Sequence, residues 1–302
     1  MNVLGLSCGN ENGSPELLLK AALRAAEADG ATVKMVRLLD MQLPDDADWY
    51  WEQLMECDAL IVAAPILSRS VPGKLRMLGD LVLGPNADAA FIEAQLALRA
   101  EGEEPQVPFR VDERVLRPRV AGFISVGGSL PSRWKTLALP EMHAMTFSMH
   151  IGVVDQIQFG GAGLPGSVVL DDNAVPRAEQ LGRAVVSQIG RASENVEYTG
   201  DEQGVCPMCH LSVFAIRGDA LECAACGARG RLVVKDGAPA FEFEPDGLEE
   251  SVISMAEKRE HFREVQETAK RQAPDAARIR ELAAPLIQYD RVISPVASNV
   301  RS

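Results

Sequence analysis

Short apolar runs alternate with longer helical patterns through the first two-thirds of the chain. Val3–Ser7, Val33–Leu38, Ala59–Ala63, Arg119–Ser125 and Val153–Gln158 read as strands, each bounded by turn-forming residues. Segments near 15–29, 47–56, 72–82, 134–148 and 175–192 carry apolar residues at helical spacing. The first helix is clearly punctuated: Ser14 stands in N-cap position, Pro15 suits the first helical residue, and Gly30 follows the end. Strand and helix alternating in this way predict a parallel sheet with helices on both faces.

Five strands in that order fit an α/β, doubly wound parallel sheet of flavodoxin type over residues 1–198. Residues 83–118 form an insertion too long for a bare loop, which predicts a helix near 88–100 serving as a lid or dimer contact. Residues 199–245 hold a cysteine module. Residues 246–302 form a C-terminal helical extension, in which Leu248, Val252, Met255, Phe262 and Val265 predict one amphipathic helix packing on the main domain.

Composition narrows the function. With 302 residues and 47% hydrophobic content, the chain can bury one large core and a small appendage. The net charge of −13 argues against a nucleic-acid partner, since phosphate binding needs a basic face. No apolar stretch is long enough for a membrane span, and Met1 leads straight into a strand with no signal peptide. A cytoplasmic protein without a membrane partner is expected. Cysteine usage agrees: four of six cysteines form CxxC pairs, the metal-binding pattern of a reducing compartment, while Cys8 and Cys57 stand alone.

In a doubly wound sheet, ligands bind beyond the carboxyl ends of the strands. The first such loop, "SCGNENGSPE", offers convergent backbone amides, the side chains of Ser7, Asn12 and Ser14, and a helix N-terminus suited to a phosphate. It has neither the lysine of a P-loop nor the GxGxxG spacing of a dinucleotide site, which sets aside a Rossmann dehydrogenase. After the third strand, "APILSRSVPGKLRMLGD" places Pro65, a polar turn and then Pro72 at a helix start. After the fourth, "SVGGSLPSRW" has two glycines that permit close approach of a ring.

These loops resemble the NADPH-dependent FMN reductase family of the flavodoxin-like superfamily. That family pairs a serine-rich phosphate loop with a "SP(V/I)Y..SVP..LK.F.DR" segment, matched here by "APILSRSVPGKLRMLGD". The resemblance implies that Ser7, Gly13 and Ser14, with Asn12, bind the FMN phosphate. It also implies that Pro65, Ile66, Leu67, Ser68, Arg69 and Ser70, with Gly127 and Gly128, cradle the isoalloxazine. The sequence departs from the family pattern at Gly9 and Asn10, where an arginine is common, and at Leu67-Ser68, where aromatics are usual. The ring face is therefore open or covered from elsewhere. Arg69 is a candidate to stabilise a reduced flavin or a substrate carboxylate. His143 and His150 read as structural histidines.

The stretch "CPMCHLSVFAIRGDALECAACGARG" has the two-knuckle spacing of a tetrahedral site at Cys206, Cys209, Cys223 and Cys226. Gly204, Pro207 and Gly227 supply turns, and "KDGAP" centres a hairpin, so the module resembles a zinc ribbon. Iron is the rival, since rubredoxin uses similar knuckles, but rubredoxin is richer in aromatics and has a longer gap between its pairs. A closed zinc site of four thiolates is structural. The insertion contains no cysteine, so an iron–sulfur cluster there is not expected.

The function expected is an FMN-dependent NAD(P)H oxidoreductase that reduces a quinone, a flavin or another small acceptor. The alternative is a binding or electron-transfer module whose ribbon docks a protein. The family resemblance also implies a homo-oligomer.

Overall fold

The structure, a computed structural model, describes residues 1–103, 107, 109–200, 206–218, 220–235, 237–289 and 291–292. Gly204 and Asp236, which the sequence assigns to a knuckle and to a hairpin turn, lie outside the described residues. The chain divides into two compact units, Met1–Arg259 and Glu260–Ser302.

The first unit opens with β1 (Asn2–Ser7), α1 (Ser14–Ala28), β2 (Thr32–Arg37), α2 (Ala47–Glu56), β3 (Ala59–Pro65) and α3 (Gly73–Val82). It continues with α4 (Ala89–Ala100), β4 (Val120–Val126), α5 (Ala138–Thr146), β5 (Gly152–Phe159) and α6 (Ala174–Ser187). The strands form one parallel sheet in the order β2-β1-β3-β4-β5. This is the flavodoxin-type order, and its reversal between β1 and β3 opens a crevice beyond their carboxyl ends.

Every residue of β4 is buried, as is β3 through Ala64, because helices cover both faces. On one face, Leu18 and Leu19 of α1 and Leu181 and Val185 of α6 pack on Ile61 and Ile124. A Cβ on Gly182 would stand 2.1 Å from the Ala22 carbonyl oxygen, so only glycine lets α1 and α6 meet this closely. On the other face, Trp51, Leu54, Leu75 and Met142 pack on Leu6, Val62 and Phe123. Each such side chain contributes about 1.5–3 kcal/mol by leaving water.

β5 carries a bulge that matters downstream. Ala121 pairs with Val153 but Gly122 pairs with Asp155, leaving Val154 as the extra residue. The Val154 carbonyl instead accepts from the Thr199 amide at 2.8 Å. One inserted residue resets the alternation of faces. Asp155 therefore meets Arg177 of α6 in a bidentate pair at 2.6 and 2.7 Å, whereas Gln156 turns to His143 of α5.

The insertion forms the expected helix: the Asp88 side chain accepts from the amides of Ala90 and Phe91, both at 3.1 Å, and α4 follows. The helix expected at 134–148 starts later, at Ala138. A 3-10 turn over Ser132–Trp134 precedes it, and the Leu137 amide bonds to the Arg69 carbonyl at 3.1 Å.

The cysteine segment forms an antiparallel sheet of β6 (Phe214–Arg217), β7 (Ala220–Cys223), β8 (Arg229–Lys235) and β9 (Ala238–Phe243). The single C-terminal helix expected from Leu248 to Val265 is instead two helices, α7 (Pro245–Glu249) and α8 (Met255–Gln272). The break has a cause: the Val252 amide and the Ser251 hydroxyl both bond to the Cys226 carbonyl at 2.9 Å. Lys258 then ties down the Ile253 carbonyl at 2.9 Å. In the second unit, α9 (Ala276–Ile287) leaves Ile279, Leu282 and Leu286 exposed. Among the described residues, no helix is long and apolar enough to cross a membrane.

Candidate functional site

The loops after β1, β3 and β4 meet at the switch point. The Cys8 amide donates to the Ala63 carbonyl at 2.8 Å, and a Cβ on Gly9 would touch both Pro15 and Pro65 at 3.5 Å. The Ile66 amide bonds to the Val126 carbonyl at 2.8 Å, and a Cβ on Gly127 would press on Ile66 at 3.2 Å. A shallow cleft of about 150 Å³ lies here, lined by Ile66, Ser68, Arg69, Gly127, Gly128, Ser129, Trp134 and Lys135.

The turn after β3 is a tight hairpin. Leu67 and Ser70 exchange two backbone hydrogen bonds of 2.9 Å, with Ser68 at φ 48° and Arg69 at φ 76°. Positive φ at both central residues is the type I′ geometry, which usually demands asparagine or glycine. Two other side chains here cost on the order of 1 kcal/mol each, strain of the kind that gathers at ligand sites. Arg69 Nε donates to the Arg133 carbonyl at 2.8 Å, which fastens this turn to the loop after β4.

The first loop is organised around a residue the sequence reading did not single out. Glu16 is wholly buried at the start of α1. Arg37, from the end of β2, donates to it at 2.9 and 3.0 Å, and Lys20 pairs with it at 2.7 Å. The Ser7 hydroxyl donates to Glu16 at 3.1 Å and the Asn12 amide at 3.2 Å. These bonds, Arg37 foremost, overcome burial and hold the Glu16 carboxyl at about 2 instead of its usual 4.5.

Ser7 is thus committed to Glu16, and Asn12 accepts from Lys20 at 2.8 Å. Ser14 lies inside the helix with Gly13 at the N-cap, and its hydroxyl oxygen accepts from the Val168 amide at 3.4 Å. Among the described residues the amides of Gly9, Asn10 and Glu11 have no acceptor, although Gly9 is buried. Unpaired amides at a helix N-terminus, beside glycines that leave room for a flat ring, fit a phosphate and a heterocycle. Trp134, from the loop after β4, lines the same cleft as Ile66 and Ser68.

His143 and His150 take no part in this cleft. Burial holds His143 down at about 4, and its Nε2 bonds to Gln156 at 2.8 Å. His150 contacts the Ile253 carbonyl at 3.0 Å and Glu194 at 2.7 Å. Both border the largest cavity among those described, about 450 Å³, at the amino end of β5. The switch point governs where a doubly wound sheet binds its ligand, so the smaller cleft is the candidate site. Cys8 is buried, which pushes its thiol well up and leaves it inert.

The four paired cysteines come together. All are buried, and their sulfurs lie within 4.8 Å of one another. Cys206 and Cys226 approach to 3.5 Å, as do Cys209 and Cys223. Sulfurs about 2.3 Å from a central ion stand roughly 3.8 Å apart in a tetrahedron, so one soft cation fits this set. A metal held by this set takes the sulfurs as thiolates, so binding it releases protons.

The NADPH-dependent FMN reductase family matches residues 1–160. A flavone synthase of Aspergillus candidus, cfoJ, is 34% identical over 295 residues, covering 88% of this chain and 89% of that protein. A solved flavone reductase superposes with a TM-score of 0.83 at 25% identity, over 98% of this chain and 100% of its own. The match to the first half, a relative alike along almost the whole length and the flavodoxin-type sheet agree: the chain belongs to the NADPH-dependent FMN reductase family and is an FMN-dependent oxidoreductase.

Proposed function

We propose that the protein passes electrons from NAD(P)H to a flat aromatic carbonyl compound of the flavone or quinone kind, with FMN bound at the switch-point cleft. The carrying observation is the cleft itself: glycine-floored at Gly127 and Gly128 and walled by the strained turn at Ser68 and Arg69. Bound there, FMN supplies the hydride chemistry, and the protein supplies position and charge.

Each loop has a task in this scheme. The amides of Gly9, Asn10 and Glu11, with the Ser14 hydroxyl and the α1 N-terminus, hold the phosphate. Arg37 and Lys20 neutralise Glu16, so its carboxylate does not repel that phosphate. Pro65 to Ser70 and Gly127 to Gly128 receive the ring edges. Trp134, exposed where it lines the cleft, offers apolar surface to a flat acceptor. Names among the relatives, flavone synthase and flavone reductase, favour an acceptor with a conjugated carbonyl.

We further propose zinc at Cys206, Cys209, Cys223 and Cys226, holding the ribbon and leaving no position open for substrate. Its short gap between knuckles and its antiparallel sheet support zinc over iron.

One preparation tests both proposals. The purified protein should be yellow, bleach on NAD(P)H, recover colour on adding a flavone or quinone, and carry one zinc per chain by elemental analysis. Colour that NAD(P)H cannot bleach sinks the enzymatic reading. One iron per chain with visible thiolate bands sinks the zinc assignment.

A further inference from the structure

The loop from β4 to α5 brings into the cleft a cation that has no partner among the described residues. Lys135 is half-buried and lines the same cleft as Arg69, Gly127 and Gly128. Its backbone is pinned on both sides: its amide donates to the Ser132 carbonyl at 2.8 Å, and its carbonyl accepts from Gln158 Nε2 at 3.1 Å. Its side chain passes over Gly160, with Nζ 3.0 Å from where a Cβ on that glycine would stand.

Other half-buried or buried cations among the described residues of the first unit are satisfied. Arg37 holds Glu16, Arg177 holds Asp155, Lys74 holds the Met41 carbonyl at 2.6 Å, and Lys258 holds the Ile253 carbonyl. Lys135 Nζ makes no hydrogen bond or ion pair among the described residues. An ammonium standing in a cleft without a protein partner suits a ligand that is anionic or accepts hydrogen bonds. Arg69, the cation singled out by sequence, is exposed and has its Nε bound to the Arg133 carbonyl.

We infer that Lys135 faces the pyrimidine edge of the bound flavin and binds the reduced ring in preference to the oxidised one; this rests on the placement of FMN proposed above. A hydride from NAD(P)H carries two electrons and one proton, and NAD(P)⁺ departs. The reduced ring therefore bears one negative charge, shared over its pyrimidine nitrogen and carbonyl. A fixed ammonium beside that edge gains more from the reduced form than from the neutral oxidised one. Lys135 is in this sense the charge that sets the flavin potential.

The test uses the holoprotein with Lys135→Met and Lys135→Arg. Reduction potentials are measured by equilibration with a reference dye, and FMN dissociation constants in each oxidation state by titration. K135M should weaken reduced FMN about tenfold more than oxidised FMN, which lowers the two-electron potential by about 30 mV. K135R should keep the ratio within about threefold. An unchanged ratio in K135M, or an equal fall in K135R, overturns the inference. Wild-type protein that takes up no FMN overturns the placement itself, and the inference with it.

Discussion

The side-chain amide of Gln156 donates to the carbonyl of Cys209 at 3.1 Å. The same nitrogen also donates to the His210 carbonyl at 3.2 Å, so the Gln156 oxygen must face His143, whose Nε2 carries the proton it accepts. A strand of the flavin-type sheet thus fixes the first cysteine knuckle through one buried glutamine. The β5 bulge makes this possible, because without it Gln156 would point to the opposite face.

Replacing Gln156 with leucine leaves two knuckle carbonyls without their donor and removes the constraint on Cys209. Metal affinity should fall about tenfold, the usual effect of losing a partner that orients a ligand. Competition with a chromogenic chelator measures it. Affinity equal to wild type would show that the knuckles are held by their own turns alone.

The cysteines border the core at α5 and β5, whereas the cleft lies beyond the carboxyl ends of the strands. Cys223→Ser should release the metal and lower thermal stability. The rate of flavin bleaching by NAD(P)H in the folded fraction should stay within about threefold, a barrier change under about 1.4 kcal/mol. Stopped-flow mixing gives that rate. A collapse with flavin still bound would make the ribbon part of the nicotinamide or acceptor site.

Glu16 is held at about 2 in the folded protein against 4.5 ordinarily. A depressed carboxyl stabilises the fold fully above about pH 4.5, and that stability is lost as the pH falls toward about 2. Arg37 is partly exposed, so solvent screening reduces what the pair contributes. Arg37→Met should therefore be less stable than wild type at neutral pH, with the gap closing in acid. Urea unfolding of the flavin-free protein across pH follows this, and a gap that ignores pH would disprove the linkage.

A Cβ on Gly128 would meet nothing nearer than 3.7 Å, so the backbone accepts a larger residue while the cleft does not. Gly128→Leu should fold with stability within about 0.5 kcal/mol of wild type. FMN affinity should drop tenfold or more in a fluorescence titration. Full occupancy in this variant would put the ring elsewhere.

Trp134 is 52% exposed at the rim of the cleft. Stacking with a flat acceptor contributes about 0.5–1.5 kcal/mol beyond burial. Trp134→Ala should raise the acceptor KM up to about tenfold and leave the half-reaction with NAD(P)H unchanged. Steady-state and single-turnover kinetics separate these steps. If the acceptor KM does not move, the acceptor approaches from another side.

Much of this was legible in the chain. Central strands such as Ala59–Pro65 are apolar almost throughout because both faces are covered, and that local signal survives any packing detail. The CxxC spacing pointed to four cysteines gathered in one place, and the structure brings their sulfurs within 4.8 Å of one another. Gly127 and Gly128, singled out in the sequence, line the cleft beyond the carboxyl ends of the strands.

Other features exist only once distant segments meet. Glu16 looks like any first-turn acid until Arg37, 21 residues on, folds over it and makes it the hub of the first loop. Lys135 has a sequence context no different from a surface lysine, and its isolation in the cleft appears only when Gly160 and Gln158 are in place. The break between α7 and α8 runs against helical periodicity because the Cys226 carbonyl takes the Val252 amide. Sequence by itself determined the strands, most of the helices, the fold class and the gathering of the four cysteines, because propensity, burial pattern and knuckle spacing act over a few residues. Which charges pair, which stay unpaired and which face Gln156 presents were decided by tertiary structure, because ion pairing, desolvation and the bulge in β5 depend on neighbours far away in the chain.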